Sequence, residues 1–146
     1  MQRLKLSFIS IFIVSLIVSC SVEKSPINYG KDACHFCKMN IVDKQHAAEI
    51  VTKKGKVFKY DSIECMINDV KKRDENKIAL YLIDDYSAPG KLIDATKATY
   101  LISENLPSPM GANLNGFESK EKTAETQKEK GGTIYSWDEL RQLFNK

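Results

Sequence analysis

The chain has 146 residues, 42% hydrophobic and 28% charged, which suits one compact domain or two very small ones. Its formal net charge is +3, and removing Arg3 and Lys5 at the N-terminus from the 22 basic residues leaves 20 against 19 acidic ones. That balance gives no reason to propose nucleic acid or an anionic membrane surface as a partner.

Arg3 and Lys5 precede an apolar run from Leu6 to Val18 that only serine interrupts. The run is too short and too one-sided in charge for a spanning helix, and predicts a cleaved signal peptide over residues 1–19. It ends in Ile17-Val18-Ser19-Cys20, the pattern of a bacterial lipoprotein box. The small residue before the cut lets the peptidase close on the backbone, and Cys20 supplies the thiol that takes the lipid; a plain secreted chain is the alternative. Residues 20–32 then form a polar, lipidated tether. The expected location is the cell envelope, anchored to the membrane by lipid and facing the periplasm.

His46–Thr52 and Val57–Tyr60 read as strands joined at K-K-G-K, with Gly55 at the position needing a positive φ. The stretch Y-D-S-I-E-C-M-I-N-D-V-K-K starts a helix, with Asp61 as its cap and Glu64 completing a capping-box pattern. Ile63, Met66, Ile67 and Val70 fall on one buried stripe, and Ile78–Ile83 is a central strand. Y-S-A-P-G-K is read as a turn, after which the order recurs: strands Ala98–Ser103 and Ala112–Phe117, a polar helix Glu118–Lys130 and a strand Thr133–Trp137. Ser136 and Glu139 cap a last short helix carrying Leu140, Leu143 and Phe144 on the outside. The expected fold is therefore α+β, two small ββαβ units over residues 33–95 and 96–146.

Apart from Cys20 the chain has three cysteines, Cys34, Cys37 and Cys65, and an odd number in an exported protein leaves at least one thiol outside any internal disulfide. Structural zinc is disfavoured because the C-x-x-C pair has no second C-x-x-C or H-x-x-x-H to complete four ligands. In A-C-H-F-C-K-M-N, Cys34 and Cys37 at i, i+3 turn both sulfurs to one point, and Met39 projects on the same side as Cys37. Spacing alone leaves a metal grip, a redox or disulfide pair, and zinc all open. Met39 and the odd third thiol tip the reading towards Cu(I), a soft ion served by few, polarisable sulfur ligands. A thioredoxin-like site normally opens a helix after a strand, whereas here the β-leaning Asn40, Ile41 and Val42 follow.

Met110, held between Pro109 and Gly111, is a candidate fourth ligand, with a loop Met covering an apolar patch as the alternative. Cys65 is expected to point away from the buried stripe, near Asn68 and Asp69, as a secondary ligand or free thiol in the first helical turn. His35, inside the knuckle, is a secondary candidate, while His46 reads as a surface or strand residue. Met66 is core.

The set C-H-F-C-K-M-N-I, then V-F-K-Y-D-S-I-E-C-M, then P-M-G-A-N-L-N-G-F, resembles the NosL family of nitrous-oxide-reductase accessory lipoproteins from about Asp32 to Trp137. The resemblance implies a Cu(I) chaperone without turnover, supplying the copper-sulfide centre of nitrous oxide reductase together with an ABC-type maturation complex. Its fold looks like two ββαβ units. Cys34, Cys37 and Met39 fall on the family's central motif, Met110 on its second-unit methionine, and Asp61 and Cys65 on its helix-start motif. Lys38 departs from the pattern, standing where family members commonly have Gly. The competing class is an enzyme, an envelope thiol-disulfide oxidoreductase using Cys34 and Cys37.

Overall fold

A computed structural model describes residues 21–145. The expected signal peptide, the lipoprotein box and Cys20 lie outside the described residues. Strand β1 (Ala48–Thr52) turns back into β2 (Val57–Tyr60), with Gly55 at φ 76° in the connection. Helix α1 (Ile63–Val70) follows, then a 3₁₀ turn at Glu75–Lys77 and strand β3 (Ile78–Asp85). Strand β4 spans Ala88–Asp94, and the four strands form an antiparallel sheet in the order β2-β1-β3-β4. Strands β5 (Thr99–Ile102) and β6 (Leu114–Phe117), helix α2 (Lys120–Lys130) and strand β7 (Thr133–Tyr135) build a second antiparallel sheet in the order β6-β5-β7. The β2-β1-β3 and β6-β5-β7 orders are the same path traced twice.

β4 corrects the reading of Y-S-A-P-G-K as a turn. The reversal is made by Tyr86 and Ser87, and Pro89 lies within the strand. β4 is an edge strand, where proline's missing N–H can face away from the ladder without breaking it.

The stripe of α1 behaves as its spacing requires: Ile63, Met66, Ile67 and Val70 are all buried. Its cap is shifted by one residue from the expectation. Ser62, not Asp61, occupies the extended N-cap position and accepts a hydrogen bond from the Cys65 amide at 3.1 Å, so no capping box with Glu64 forms. At the C-terminal helix α3 (Trp137–Phe144) the expected box is present, with the Ser136 amide donating to Glu139 at 2.7 Å. Trp137 and Leu140 are buried and Leu143 is exposed, so the helix lies on the outside. On α2 only Thr123 is buried, as suits a solvated Lys/Glu/Gln helix.

One hydrophobic core runs through both sheets, joining Ile50, Ile83 and the α1 stripe to Tyr100 and Leu114. The sheets approach closely at Gly116 of β6, where an added Cβ would lie 2.3 Å from Ile83 Cδ1. His46 reinforces the junction. It is 3% exposed rather than a surface residue, with its ring between Asp43 and Asn115 of β6, 2.9 Å from each.

Ahead of β1 the chain makes a tight knuckle. Ala33 and Asn40 form an antiparallel bridge, and the Cys34 amide donates to the Met39 carbonyl at 2.8 Å. Lys38 closes the turn at φ 69°, a left-handed backbone that glycine adopts freely and that costs a side-chain-bearing residue about 1 kcal/mol. The departure from glycine noted in the sequence is therefore a departure at a position where glycine fits the backbone.

Two substitutions test these local assignments by urea denaturation. Lys38→Gly is expected to hold stability or raise it by up to about 1 kcal/mol, against the loss that glycine causes in an ordinary loop position. Ser62→Ala is expected to lower it by about 1 kcal/mol or more, the cost of a lost N-cap; no loss would return the cap to Asp61.

Candidate metal centre

The knuckle and the first turn of α1 meet face to face. The Sγ atoms of Cys34, Cys37 and Cys65 and a carboxylate oxygen of Asp61 all lie within 4.8 Å of one another. Cys34 and Cys65 are each 1% exposed and Asp61 4%, while Cys37 is half-buried at the open side. All three cysteines are free thiols. The Cys37 amide donates to Cys34 Sγ at 3.5 Å, and the Cys37 thiol donates to Asp61 Oδ1 at 3.4 Å.

The face of α1 that carries Cys65 is covered, which the sequence does not predict. Helical periodicity sets it opposite the apolar stripe, which for an isolated amphipathic helix means solvent. Here the knuckle packs over that face, so α1 is buried on both sides at its N-terminal end. The one-residue shift of the cap has a parallel effect on Asp61: relieved of capping, it turns into the cluster. The objection to zinc, that no four ligands were available, also falls, because residues from two separate segments complete a set of four. The donor set admits a tetrahedral Zn²⁺ as well as a sulfur-bound Cu(I).

The protons are unevenly held. A hydrogen bond from the Cys65 thiol is the main cause that lowers the Cys34 pKa to about 6, leaving Cys34 the anion of the pair at neutral pH. The same hydrogen bond, together with burial, pushes Cys65 well above the ordinary thiol range, outweighing the pull of the helix N-terminus. Cys37 is raised to about 11, first by burial. The free site thus carries one thiolate and two thiols, and binding a cation through all three sulfurs must release protons.

The other sequence candidates lie at the edge of this cluster or apart from it. His35 is not among the four converging donors; it is exposed and stacks edge-on against Phe58, with ring centroids 4.7 Å apart. Met39, 49% exposed, follows Cys37 by two residues on the outgoing arm of the knuckle. Met110, 43% exposed, sits in a loop pinned two residues earlier. There the Ser108 hydroxyl donates to the buried Glu64 carboxylate and accepts from the Leu114 amide at 3.2 Å. Glu64 precedes Cys65, so the Met110 loop is tied to the helical turn that supplies the third thiol. Nothing in the sequence spacing marked the Glu64–Ser108 tie, which joins residues 44 positions apart.

Among solved structures, the copper chaperone NosL from Shewanella denitrificans superposes with a TM-score of 0.70 at 21% identity, covering 82% of this chain and 96% of that one. The likeness establishes a shared fold. A comparison with curated protein sequences finds no match. The sequence pattern of the NosL family matches residues 27–144, well over half of the chain, and the protein therefore belongs to the NosL family.

Proposed function

We propose that this protein is a lipid-anchored Cu(I) chaperone of the cell envelope, without turnover of its own. Its cargo would serve maturation of the copper-sulfide centre of nitrous oxide reductase, in company with an ABC-type complex in the membrane. The observation that carries the copper reading is the convergence of three sulfurs from two segments on one largely buried point. Family membership and the copper chaperone of the same fold support the choice of Cu(I) over zinc. Soft thiolates favour the d¹⁰ Cu(I) ion, which is content with two or three sulfur ligands and so does not need the Asp61 oxygen. Asp61 instead accepts the hydrogen bond of the Cys37 thiol, whose proton leaves as the sulfur binds the metal.

Met39 and Met110, both exposed, are the further thioether ligands of this proposal. A neutral thioether binds Cu(I) without competing for protons, which suits a donor that passes the ion inwards or outwards. Cys34 and Cys65 form the buried floor. Cys37 is the half-buried, more accessible sulfur of the three.

The lowered pKa of Cys34 favours a second reading, a thiol-disulfide oxidoreductase. The geometry works against it. The anionic sulfur, Cys34, is 1% exposed and cannot meet a protein disulfide, whereas the more accessible Cys37 is held as a thiol.

Met39→Leu keeps every thiol and nearly the same volume, so stability should change by less than about 1.5 kcal/mol while Cu(I) affinity, read by anaerobic competition with a chelator, falls. Cys65→Ser should lower affinity further, and insulin reduction should be negligible in wild type and both variants. Full affinity in Met39→Leu together with robust insulin reduction would promote the oxidoreductase.

Binding should also depend on pH. Between the Cys34 value of about 6 and the Cys37 value of about 11, Cys34 is already ionised and Cys37 must lose a proton to bind. Cu(I) affinity should therefore rise with pH by about tenfold per unit from pH 7 to 9, or about a hundredfold if Cys65 also ionises. A flat profile would mean that the thioethers and Cys34 alone hold the metal.

A further inference from the structure

The tether leads to a basic face. Residues 21–27 lie along the first sheet, held by the Ser25 amide donating to Glu49 at 2.8 Å and by Lys59 Nζ donating to the Pro26 carbonyl at 2.6 Å. At its far end the Ser21 carbonyl reaches the β1–β2 hairpin, 3.1 Å from where a Gly55 Cβ would stand. That hairpin is Lys53-Lys54-Gly55-Lys56, and its three lysines are exposed. They border a groove of about 660 Å³ together with Lys77, over Phe58 and Ile78. Two of the groove's charges are compensated: Arg73 pairs with Asp69 at 2.7 Å and Lys77 with Asp74 at 3.3 Å. Lys53, Lys54 and Lys56 make no salt bridge among the described residues. Val22, 38% exposed, adds an apolar side chain next to Ser21, and Glu23 is the one carboxylate of this stretch.

We propose that the Lys53-Lys54-Gly55-Lys56 hairpin and the groove behind it form a membrane-contact face that rests on anionic phospholipid headgroups. The occupant follows from where the described chain begins. Ser21 comes directly after Cys20, which the proposed function assigns to the lipid, and the inference rests on that assignment. One residue spans at most about 3.6 Å, so an acyl chain on Cys20 holds Ser21, and with it the hairpin, at the headgroup layer. Lysines placed there lie within a Debye length, about 8–10 Å, of the lipid phosphates. Each contributes about a fivefold gain in contact with an anionic surface, so three give on the order of a hundredfold. A lipid anchor with a polybasic patch is also the usual two-signal solution to stable attachment. Because His35 stacks on Phe58 at the groove, the Cys34–Cys37 knuckle would sit at the border of this face rather than at the far pole of the domain.

The test uses the full chain purified from membranes and reconstituted in vesicles of pure phosphatidylcholine or of phosphatidylcholine with 30% phosphatidylglycerol. Brief amine acetylation, read residue by residue by mass spectrometry, reports which lysines are covered. Lys53, Lys54 and Lys56 should label at least fivefold more slowly in the phosphatidylglycerol vesicles, Lys122 and Lys128 of α2 should label equally in both, and 0.5 M NaCl should abolish the difference. Equal rates in the two vesicles would overturn the proposal, as would protection that appears only when an acidic protein is added. The anchor is read separately: a chain without lipid stays in the supernatant of the neutral vesicles, whatever its lysines do when phosphatidylglycerol is present.

Discussion

The centre of this molecule is the start of α1, where one hydrogen bond sets three side chains. Ser62 takes the cap position and accepts the Cys65 amide, which fixes the rotation of the first helical turn. With that rotation Asp61 faces Cys37, Cys65 faces Cys34, and Glu64 reaches Ser108 in the Met110 loop. A helix begun one residue earlier would turn each of these side chains by about 100° relative to the knuckle. The donor cluster exists only in one registration of the cap. Asp and Ser are adjacent and are both good caps, so the choice between them is made by burial: the Asp61 carboxylate has the thiols to meet, and Ser62, fully buried, has only the helix.

Local rules carried the sequence reading as far as they apply. The hairpin at Gly55, the α1 stripe and the Ser136–Glu139 box each depend on residues within a few positions of one another, and each is present. The repeated strand-strand-helix-strand order also emerged, because apolar runs and polar stretches alternate in the same way twice. What escaped was set from a distance. Pro89 and Gly90 look like a turn until β4 is known to be an edge strand, and its being an edge depends on the whole sheet order. Cys65 reads as a secondary ligand or a free thiol until the knuckle, some thirty residues earlier, is laid over it. An odd thiol count said that some cysteine lacked an internal disulfide partner, but no periodicity could say that it would face the other two.

The cluster also shows how charge constrains what a chaperone can hold. Four donors, if all ionised, would gather four negative charges in a largely buried space, a cost no monovalent ion offsets. The uneven proton distribution avoids this, with one thiolate at Cys34, a thiol at Cys65 donating to it, and a thiol at Cys37 donating to Asp61. A Cu(I) ion bound to two thiolates keeps the net charge of the metal and its sulfurs at −1, the same as that of the single thiolate before metal binds. The N-terminal dipole of α1 favours that anionic charge. Zn²⁺ reaches its preferred four ligands only by taking Asp61 and the third sulfur as a thiolate as well, and over the same four side chains the net charge is then −2, equal to that of Cu(I) on two thiolates beside the Asp61 carboxylate. The number of donors each ion requires, and so the number of protons the thiols must release, separates the two ions here.

The same principle explains why a near-neutral chain has a basic face. Carboxylates are consumed inside the fold: Glu49, Asp61, Glu64, Asp84 and Asp85 are all buried, each set against thiols, hydroxyls or amides. Among the described residues no lysine or arginine is buried. Long cationic side chains keep their heads in water while acids are drawn in to serve as acceptors. A count of 20 basic against 19 acidic residues therefore understates the positive charge of the surface, and it says nothing about position. Three consecutive-in-space lysines at a hairpin carry weight because the tether ends on them; the same three scattered over α2, among its glutamates, would carry none.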